Sequence, residues 1–428
     1  MLSAFRNAFR VPDLRNKILF TLFIIGVYRL GSHMPLPGVD FAAIEQLKQQ
    51  AEQGGGVLSL INLFSGGGLT RFAVFALGIM PYITSSIIMQ LLTVVIPRLE
   101  ALQKEGEVGR KKITQYTRYM TVVLALLQSL GILVTANSGN LFQGISDLFP
   151  DLGVGKTFLV VLTLTAGTAL IMWLGELITQ RGIGNGMSIL IFASIISSLP
   201  AESTALWQTA GAGKGTAFLM LGLLIVVAVV LVEQGQRRIP VQYAKRVVGR
   251  RTYGGSSTYI PMKVNQAGVI PIIFASSLLY LPVLASTIVQ NQWFRDFVDR
   301  NFARGSSVWY IGTYAILVVF FTYFYTAITF NPADVADNMK KYGGFVPGIR
   351  PGRPTAEHLS YILTRITLPG ALFIATIAVL PFIAQGAWDI QSFPFAGAAV
   401  LIVVGVGLET MKQIESQLMM RHYEGFLK

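Results

Sequence analysis

Residues 78–83 read Gly-Ile-Met-Pro-Tyr-Ile and residues 268–273 read Gly-Val-Ile-Pro-Ile-Ile, so the chain carries nearly the same apolar string twice. A Ser-Ser pair soon follows each string. Proline removes a backbone donor and its ring clashes one turn back, so Pro81 and Pro271 predict kinks in two apolar helices. One such string alone would mean little, because glycine and proline are common in membrane spans. The matched pair predicts an internal repeat with a shared function.

The two strings lie in a chain that is rich in apolar segments. Of its 428 residues, 53% are hydrophobic and 13% are charged, whereas about 25% are charged in soluble proteins. A segment that crosses a membrane must span a hydrocarbon core of about 30 Å. Segments that meet this requirement predict ten spans, at 18–34, 71–96, 119–136, 157–179, 187–200, 216–233, 266–290, 308–330, 367–385 and 394–411.

The positions of the basic residues predict the orientation of these spans. With a cytoplasmic N-terminus, most of the 34 Lys and Arg residues fall in loops on the cytoplasmic side, as the positive-inside rule requires. Ten spans return the C-terminus to the same side and divide into two fives of opposite orientation, which is an inverted repeat. The predicted divisions are a cytoplasmic segment 1–17, a first half 18–200, a second half 201–411 and a cytoplasmic tail 412–428.

An apolar segment at 57–68 lies between the first two spans, on the outer side, and is too short to cross a membrane. Such a segment either lies at the interface or re-enters among the spans. Glycines at 54–56 and 66–68 flank it and would let it move as a hinged piece. A static interfacial helix is the alternative that the sequence supports equally well.

The sequence contains few groups on which an enzyme could rely. It has no cysteine, and its three histidines never pair, so no metal site or histidine relay is visible. Residues 153–157 resemble a P-loop, but position 150, where Walker A needs glycine, holds proline. The glycine-rich residues 182–186 are better explained as a tight turn between spans. The sequence therefore predicts no enzyme, no cofactor and no metal.

A secondary transporter with inverted repeats is the main alternative from another functional class. An ion-coupled transporter should place ionisable groups near the middle of the membrane. The charges associated with the spans all lie near span ends, where snorkelling or capping explains them at least as well as transport does. They are Arg29, Glu176, Glu233 and Glu409. The sequence thus disfavours this alternative.

Two cytoplasmic loops, 234–265 and 331–366, carry more basic charge than orientation alone requires. Contact with anionic lipids is one explanation. Docking of a large anionic partner is another, and phosphate contacts would make that binding salt-dependent. A membrane-anchored nucleic-acid binder would account for the loops but not for the paired strings.

The chain resembles the SecY family, the central subunits of bacterial protein-translocation channels, over essentially its whole length. Several motifs in the same order carry this resemblance. They are Tyr28-Arg29-Leu30-Gly31, the string at 76–83, Lys104-Glu105-Gly106-Glu107, Gln115-Tyr116-Thr117-Arg118, and residues 182–186, 265–277 and 346–352.

The resemblance implies an all-α membrane protein with ten transmembrane helices in two inverted five-helix halves around a central pore. It implies a lateral gate between the second and seventh spans, whose helices contain Pro81 and Pro271. It also implies a narrow ring of apolar side chains in the pore. The ring residues carried over are Ile79, Ile83, Met187, Ile191, Ile273 and Ile402.

The implied function is a channel that moves unfolded secretory proteins across the bacterial plasma (inner) membrane and releases apolar segments sideways into lipid. A narrow, uncharged constriction offers no ligands to ions and resists wetting, so a peptide can pass where ions are held back. Segment 57–68 would be the plug that closes the outer funnel. Its residues are Leu60, Ile61, Leu63, Phe64 and Gly66.

The chain has no nucleotide site, so the resemblance assigns the driving force to partners. These are a translating ribosome or the SecA motor ATPase, with SecE and SecG as membrane subunits and signal-sequence-bearing polypeptides as substrates. The implied docking residues in the basic loops are Lys245, Arg246, Arg250, Arg251 and Arg350.

Overall fold

The computed structural model describes residues 9–39, 65–137, 153–243, 246–248, 251–253, 257–288, 291–303, 307–388 and 397–426. Up to residue 234 the described elements are the helices α1 Pro12–Gly31, α2 Met80–Val95, α3 Pro97–Lys104, α4 Glu107–Asn137, α5 Val154–Arg181 and α6 Gly186–Gln234. The next group is β1 Gln236–Tyr243, β2 Arg246–Val248, β3 Arg251–Tyr253, β4 Ser257–Lys263, α7 Ile270–Ile288 and α8 Gln292–Val298. A π-helical turn, Asp299–Ala303, precedes α9 Val308–Thr329, α10 Pro332–Lys341, β5 Gly344–Phe345, α11 Arg353–Trp388 and α12 Gly397–Phe426.

Apolar helices dominate the described part of the chain. Five are long and apolar enough to cross a membrane: Glu107–Val134, Val154–Arg181, Gly213–Gln234, Val308–Lys341 and Arg353–Ile383. Helices α2 and α3 together would make a sixth, but the pair is bent by 100°. Every predicted span overlaps a helix, which confirms the helical class. The arrangement of ten spans in two halves stays a prediction.

The two matched strings adopt the same local structure. In each, the glycine lies in the left-handed region, with φ of 57° at Gly78 and 62° at Gly268, and a helix begins two residues later. Pro81 and Pro271 therefore stand in the first turn of their helices, where proline is favoured because no intrahelical N–H bond is lost. The prediction that they kink continuous helices is wrong. Residues 66–79 form turns instead, so α2 is shorter than the predicted span 71–96.

The fifth and sixth predicted spans both lie in α6, whose helix is interrupted by a kink at Gly211. This residue has φ 75° and ψ 164°, which is not helical. Because a side chain disfavours a positive φ, glycine is the residue that allows the chain to change direction here.

The loop 234–265 departs from the all-α prediction. Strands β1 and β4 pair antiparallel, and β5 adds to the other edge of β1. Ile239 and Val241 alternate with exposed neighbours along β1, the pattern of a strand with one buried face. That face packs on α10 and α11 in a hydrophobic core separate from that of the main bundle. Its buried residues are Ile239, Val241, Met262, Met339, Val346, Leu359 and Ile362.

The turns at 66–79 pack tightly against the end of α1. Tyr28 is buried and stacks on Phe75 with ring centroids 5.8 Å apart. Backbone bonds join Leu36 N to Phe72 O and Val74 N to Met34 O, both at 2.8 Å. A Cβ added at Gly31 would collide with the Phe75 ring. The close approach of α1 and these turns thus depends on a glycine at position 31.

We expect Gly31→Ala to destabilise the fold by about 1–3 kcal/mol, the usual range for overpacking, because Phe75 is buried and held by Tyr28. Thermal unfolding of the purified chain would measure this. Gly26→Ala is the matched control, since it lies on the same helix with nothing within 4 Å of an added Cβ. Equal melting of the two variants would contradict the assigned contact.

Candidate functional site

The six predicted ring residues lie in an apolar part of the structure. Five are buried, with exposed fractions of 1% for Ile79, 9% for Ile83 and Met187, 3% for Ile191 and 1% for Ile402. Ile273 is half-buried and packs against the same hydrophobic cluster that contains the other five. The cluster extends through much of the helical bundle. Shared membership therefore places the six residues in one apolar interior but does not show that they form a ring.

Helices α2 and α7, which begin with the matched strings, contact each other. Helix α7 also packs on α4 and α9. Phe274 of α7 meets Phe321 of α9 edge to face, with centroids 5.5 Å apart. The predicted gate helices are thus neighbours, one attached to α4 and the other mainly to α9.

Of the predicted plug residues, Leu60, Ile61, Leu63 and Phe64 lie outside the described residues. Gly66 is described and has φ 64°. Its carbonyl accepts a hydrogen bond of 3.1 Å from Arg29 Nη1, and an added Cβ would lie 3.3 Å from Ser194 Cβ. The end of the predicted plug segment therefore sits between α1 and α6.

The predicted docking residues are only partly described. Lys245 and Arg250 lie outside the described residues. Arg246 and Arg251 belong to the hairpin β2–β3, where Arg246 pairs with Tyr253 and Arg251 with Val248. Arg350 is exposed, and its carbonyl accepts a hydrogen bond of 2.8 Å from Thr355 Oγ1. The side chain of Arg350 thus projects from a backbone that is held in place.

The structure reveals an ion pair that the sequence did not predict. Arg118 of α4 binds Glu176 of α5 with two contacts, Nε to Oε1 at 2.7 Å and Nη2 to Oε2 at 2.6 Å. Glu176 is thus a partner in a bidentate pair rather than a free helix-end charge. The two residues are far apart in sequence and lie on different helices, so no local pattern signals the contact.

A second contact missed by the sequence involves Glu233, near the end of α6. Asn265 Nδ2 donates to Glu233 Oε2 at 2.9 Å and to the carbonyl of Gly268 at 3.1 Å. Asn265 belongs to one of the motifs noted above, but the motif did not indicate its partner. This contact joins the end of α6 to the start of α7.

Within the described ranges, no three His, Asp or Glu side chains are grouped so that they could hold a metal ion. What these residues provide is a packed apolar interior with polar contacts near the helix ends.

Comparisons with known proteins identify the family. The sequence model of the SecY family matches residues 73–411. The protein translocase subunit SecY of Streptomyces galbus is 58% identical over 440 residues, covering 100% of both chains. The same subunit of Mycobacterium tuberculosis is 57% identical over 441 residues, again covering 100% of both.

Solved structures share the fold. A protein-conducting channel superposes with a TM-score of 0.66 at 17% identity, covering 94% of this chain and 92% of the other. Sec61 in a canine ribosome–channel complex from the endoplasmic reticulum gives a TM-score of 0.62 at 16% identity, with the same two coverages. The resemblance noted in the sequence motifs is confirmed, and this chain belongs to the SecY family.

Proposed function

We propose that this chain is the pore-forming subunit of a protein translocase, which conducts unfolded secretory polypeptides across a membrane and releases apolar segments into the lipid. The observation that carries this proposal is the full-length identity of 58% with a curated translocase subunit. Those relatives are described as subunits of a translocase, so we assign no catalytic step to this chain. A transporter binding site finds no support in the buried apolar residues described above.

The six ring residues would form the constriction of the pore. Their burial supports a closed state in which apolar side chains fill the passage. Uncharged side chains give ions no substitute for their hydration shell, and a narrow apolar passage excludes water. A polypeptide can push such flexible side chains aside, so the same constriction can open for a chain and close behind it.

The order of helix packing supports two related halves, 18–200 and 201–411. In the first half α2 packs on α4, α4 on α5, and α5 on α6. In the second half α7 packs on α9, α9 on α11, and α11 on α12. The same succession after each matched string is what an inverted repeat of five spans would give.

The contact between α2 and α7 would be the lateral gate. Because a glycine with positive φ stands two residues before each helix, each has a turn before it rather than a stiff helical continuation. Parting these helices would expose the passage to lipid. Segments that are sufficiently apolar would then partition outward, according to the same transfer free energies that define a membrane span.

Segment 57–68 would act as the plug, with Gly66 near its C-terminal end. The bond from Arg29 to the Gly66 carbonyl supports this assignment, because it holds that end of the segment against α1. Displacement of the plug would then leave its attachment to α1 in place.

The basic loops 234–265 and 331–366 would bind the partners that supply the driving force. The fold is shared with a channel described in a ribosome complex, which supports ribosome docking through Arg246, Arg251 and Arg350, together with Lys245 and Arg250. The SecA motor ATPase would use the same face, and SecE and SecG would be membrane subunits. The proposed location is the bacterial plasma membrane, with segment 1–17 and tail 412–428 in the cytoplasm.

Single cysteines at Ile83 and Ile273 would test the channel directly, since the chain has no natural cysteine. We expect both to crosslink to a secretory chain that is stalled during export. Leu223→Cys is the control, because this side chain is 61% exposed on the outside of the bundle. Crosslinks at position 223 with none at 83 and 273 would refute the proposed path.

A further inference from the structure

The segment 264–269 enters α7 and is firmly seated in the second half of the chain. Its first backbone N–H, from Val264, donates to the carbonyl of Gly235 at 3.0 Å. The carbonyl of Val264 lies so close to Gly370 of α11 that an added Cβ there would collide with it. A Cβ at Gly405 of α12 would lie 3.0 Å from Val269 Cγ2. We call residues 264–269 the gate linker, because they set where α7 begins.

One side chain of the gate linker fixes it to α6. Asn265 is 4% exposed, and its Nδ2 group bonds both Glu233 Oε2 and the carbonyl of Gly268. Gly268 is the left-handed residue that stands two positions before α7. A single amide group therefore connects the end of α6 to two points of the gate linker, and the second point, Gly268, stands two residues before α7.

The carboxylate of Glu233 is half-buried. The charges that act on it come from Lys263 in β4 and from Lys412 and Glu409 in α12. A hydrogen bond to an ionised group is stronger than one between neutral groups. The bond from Asn265 therefore fixes the orientation of this carboxylate, and breaking the bond would cost free energy.

The same asparagine carries an unsatisfied group. Its Oδ1 atom is buried and has no hydrogen-bond partner among the described residues. A buried acceptor without a donor costs free energy. The Nδ2 group of Asn265 thus stabilises the closed packing, whereas its unpaired Oδ1 atom destabilises it. This balance suits a contact that must hold in one state and release in another.

We propose that Glu233 and Asn265 are positioning residues for translocation. Their contact, the Glu233–Asn265 clasp, holds the first turn of α7 in the closed-gate arrangement and is released when the gate opens. This inference rests on the proposed function, and it adds a specific determinant of gating at the cytoplasmic end of α6.

The test uses the full chain, assembled with its membrane subunits and motor in liposomes, and a substrate whose signal sequence has a shortened apolar core. Loss of a hydrogen bond to a charged group should shift the closed–open balance, so we expect Asn265→Ala and Glu233→Leu to raise export of this substrate roughly fivefold to tenfold. Glu233→Gln keeps an acceptor oxygen but loses the charge, so its export should lie between that of the parent and that of Glu233→Leu. Glu409→Gln removes an exposed carboxylate that acts on Glu233 only through its charge and makes no hydrogen bond in the clasp, so its export should stay near that of the parent.

Parental export by both Asn265→Ala and Glu233→Leu would overturn the proposal, as would equal increases in all four variants. A second measurement needs no variant: amide hydrogen exchange in the gate linker of the parent chain should accelerate when a stalled substrate occupies the channel. Unchanged exchange would overturn the clasp even if the variants fail to fold. A parent chain that exports no substrate, even with an intact signal, would instead refute the proposed function itself.

Discussion

Replacing Gly186 with alanine is expected to destabilise the folded chain by about 3 kcal/mol, at the upper end of the usual cost of overpacking. Gly186 is the first residue of α6, directly opposite Gly175 of α5. A Cβ at position 186 would collide with the backbone carbonyl of Gly175. Since that carbonyl belongs to a helix, it cannot rotate away as a side chain can, and the two helices must separate.

Gly175 and Gly155, both in α5, provide a graded comparison with Gly186. An added Cβ at Gly175 would meet the flexible side chain of Met187, whereas one at Gly155 would meet nothing within 4 Å. We therefore expect the loss of thermal stability to fall in the order Gly186→Ala, Gly175→Ala, Gly155→Ala, with the last close to the parent. Any order that places Gly155 first would contradict the packing of α5 on α6.

The Gly186 contact also bears on function, because Met187 is one of the proposed ring residues. Small residues allow membrane helices to approach closely. Here the close approach of α5 and α6 positions the next residues of α6, including Met187 and Ile191. A variant with the helices forced apart should therefore lose its ion barrier as well as stability. Conductance of the resting channel would show this second effect.

The sequence predicted the features that depend on composition and on repeated motifs. Apolar length predicted the helices, and the paired strings at 78–83 and 268–273 adopt the same local structure just before α2 and α7. The tight turn at 182–186 is also confirmed, with Asn185 capping α6 through a bond of 3.2 Å to Met187 N. These features follow from local chemistry, which a single sequence displays.

The sequence did not predict features that arise from tertiary contacts. Pro81 and Pro271 were expected to kink helices, but the preceding glycines adopt positive φ and the helices start there instead. The β1–β4 hairpin was missed because its apolar alternation is short and lies among basic residues. The pair Arg118–Glu176 joins two helices, and Glu233–Asn265 joins α6 to the gate linker, so neither residue of either pair indicates the other in sequence.

Reversing the charge of Arg350 is expected to lower motor-driven export at least about tenfold, because a like-charge contact in a complementary interface costs several kcal/mol and each 1.4 kcal/mol is a factor of ten. The surrounding loop is well supported. Val346 is buried, Ile349 N donates to its carbonyl at 3.0 Å, and Thr355 Oγ1 bonds the Arg350 carbonyl. The side chain itself is exposed, so Arg350→Glu should change the docking surface and leave folding intact.

Arg353→Glu separates a specific role of Arg350 from the general effect of basic charge. It makes the same change in net charge three residues away, at the start of α11, where Arg353 Nε pairs with Glu357 Oε1 at 3.0 Å on the surface. Export should be measured for both variants over a range of salt concentrations, with thermal unfolding as the check on folding. If Arg350 makes a defined contact, only Arg350→Glu loses export at physiological salt. An equal loss in both variants would mean that the loop acts through its overall field, and normal export by Arg350→Glu would exclude position 350 from the docking face.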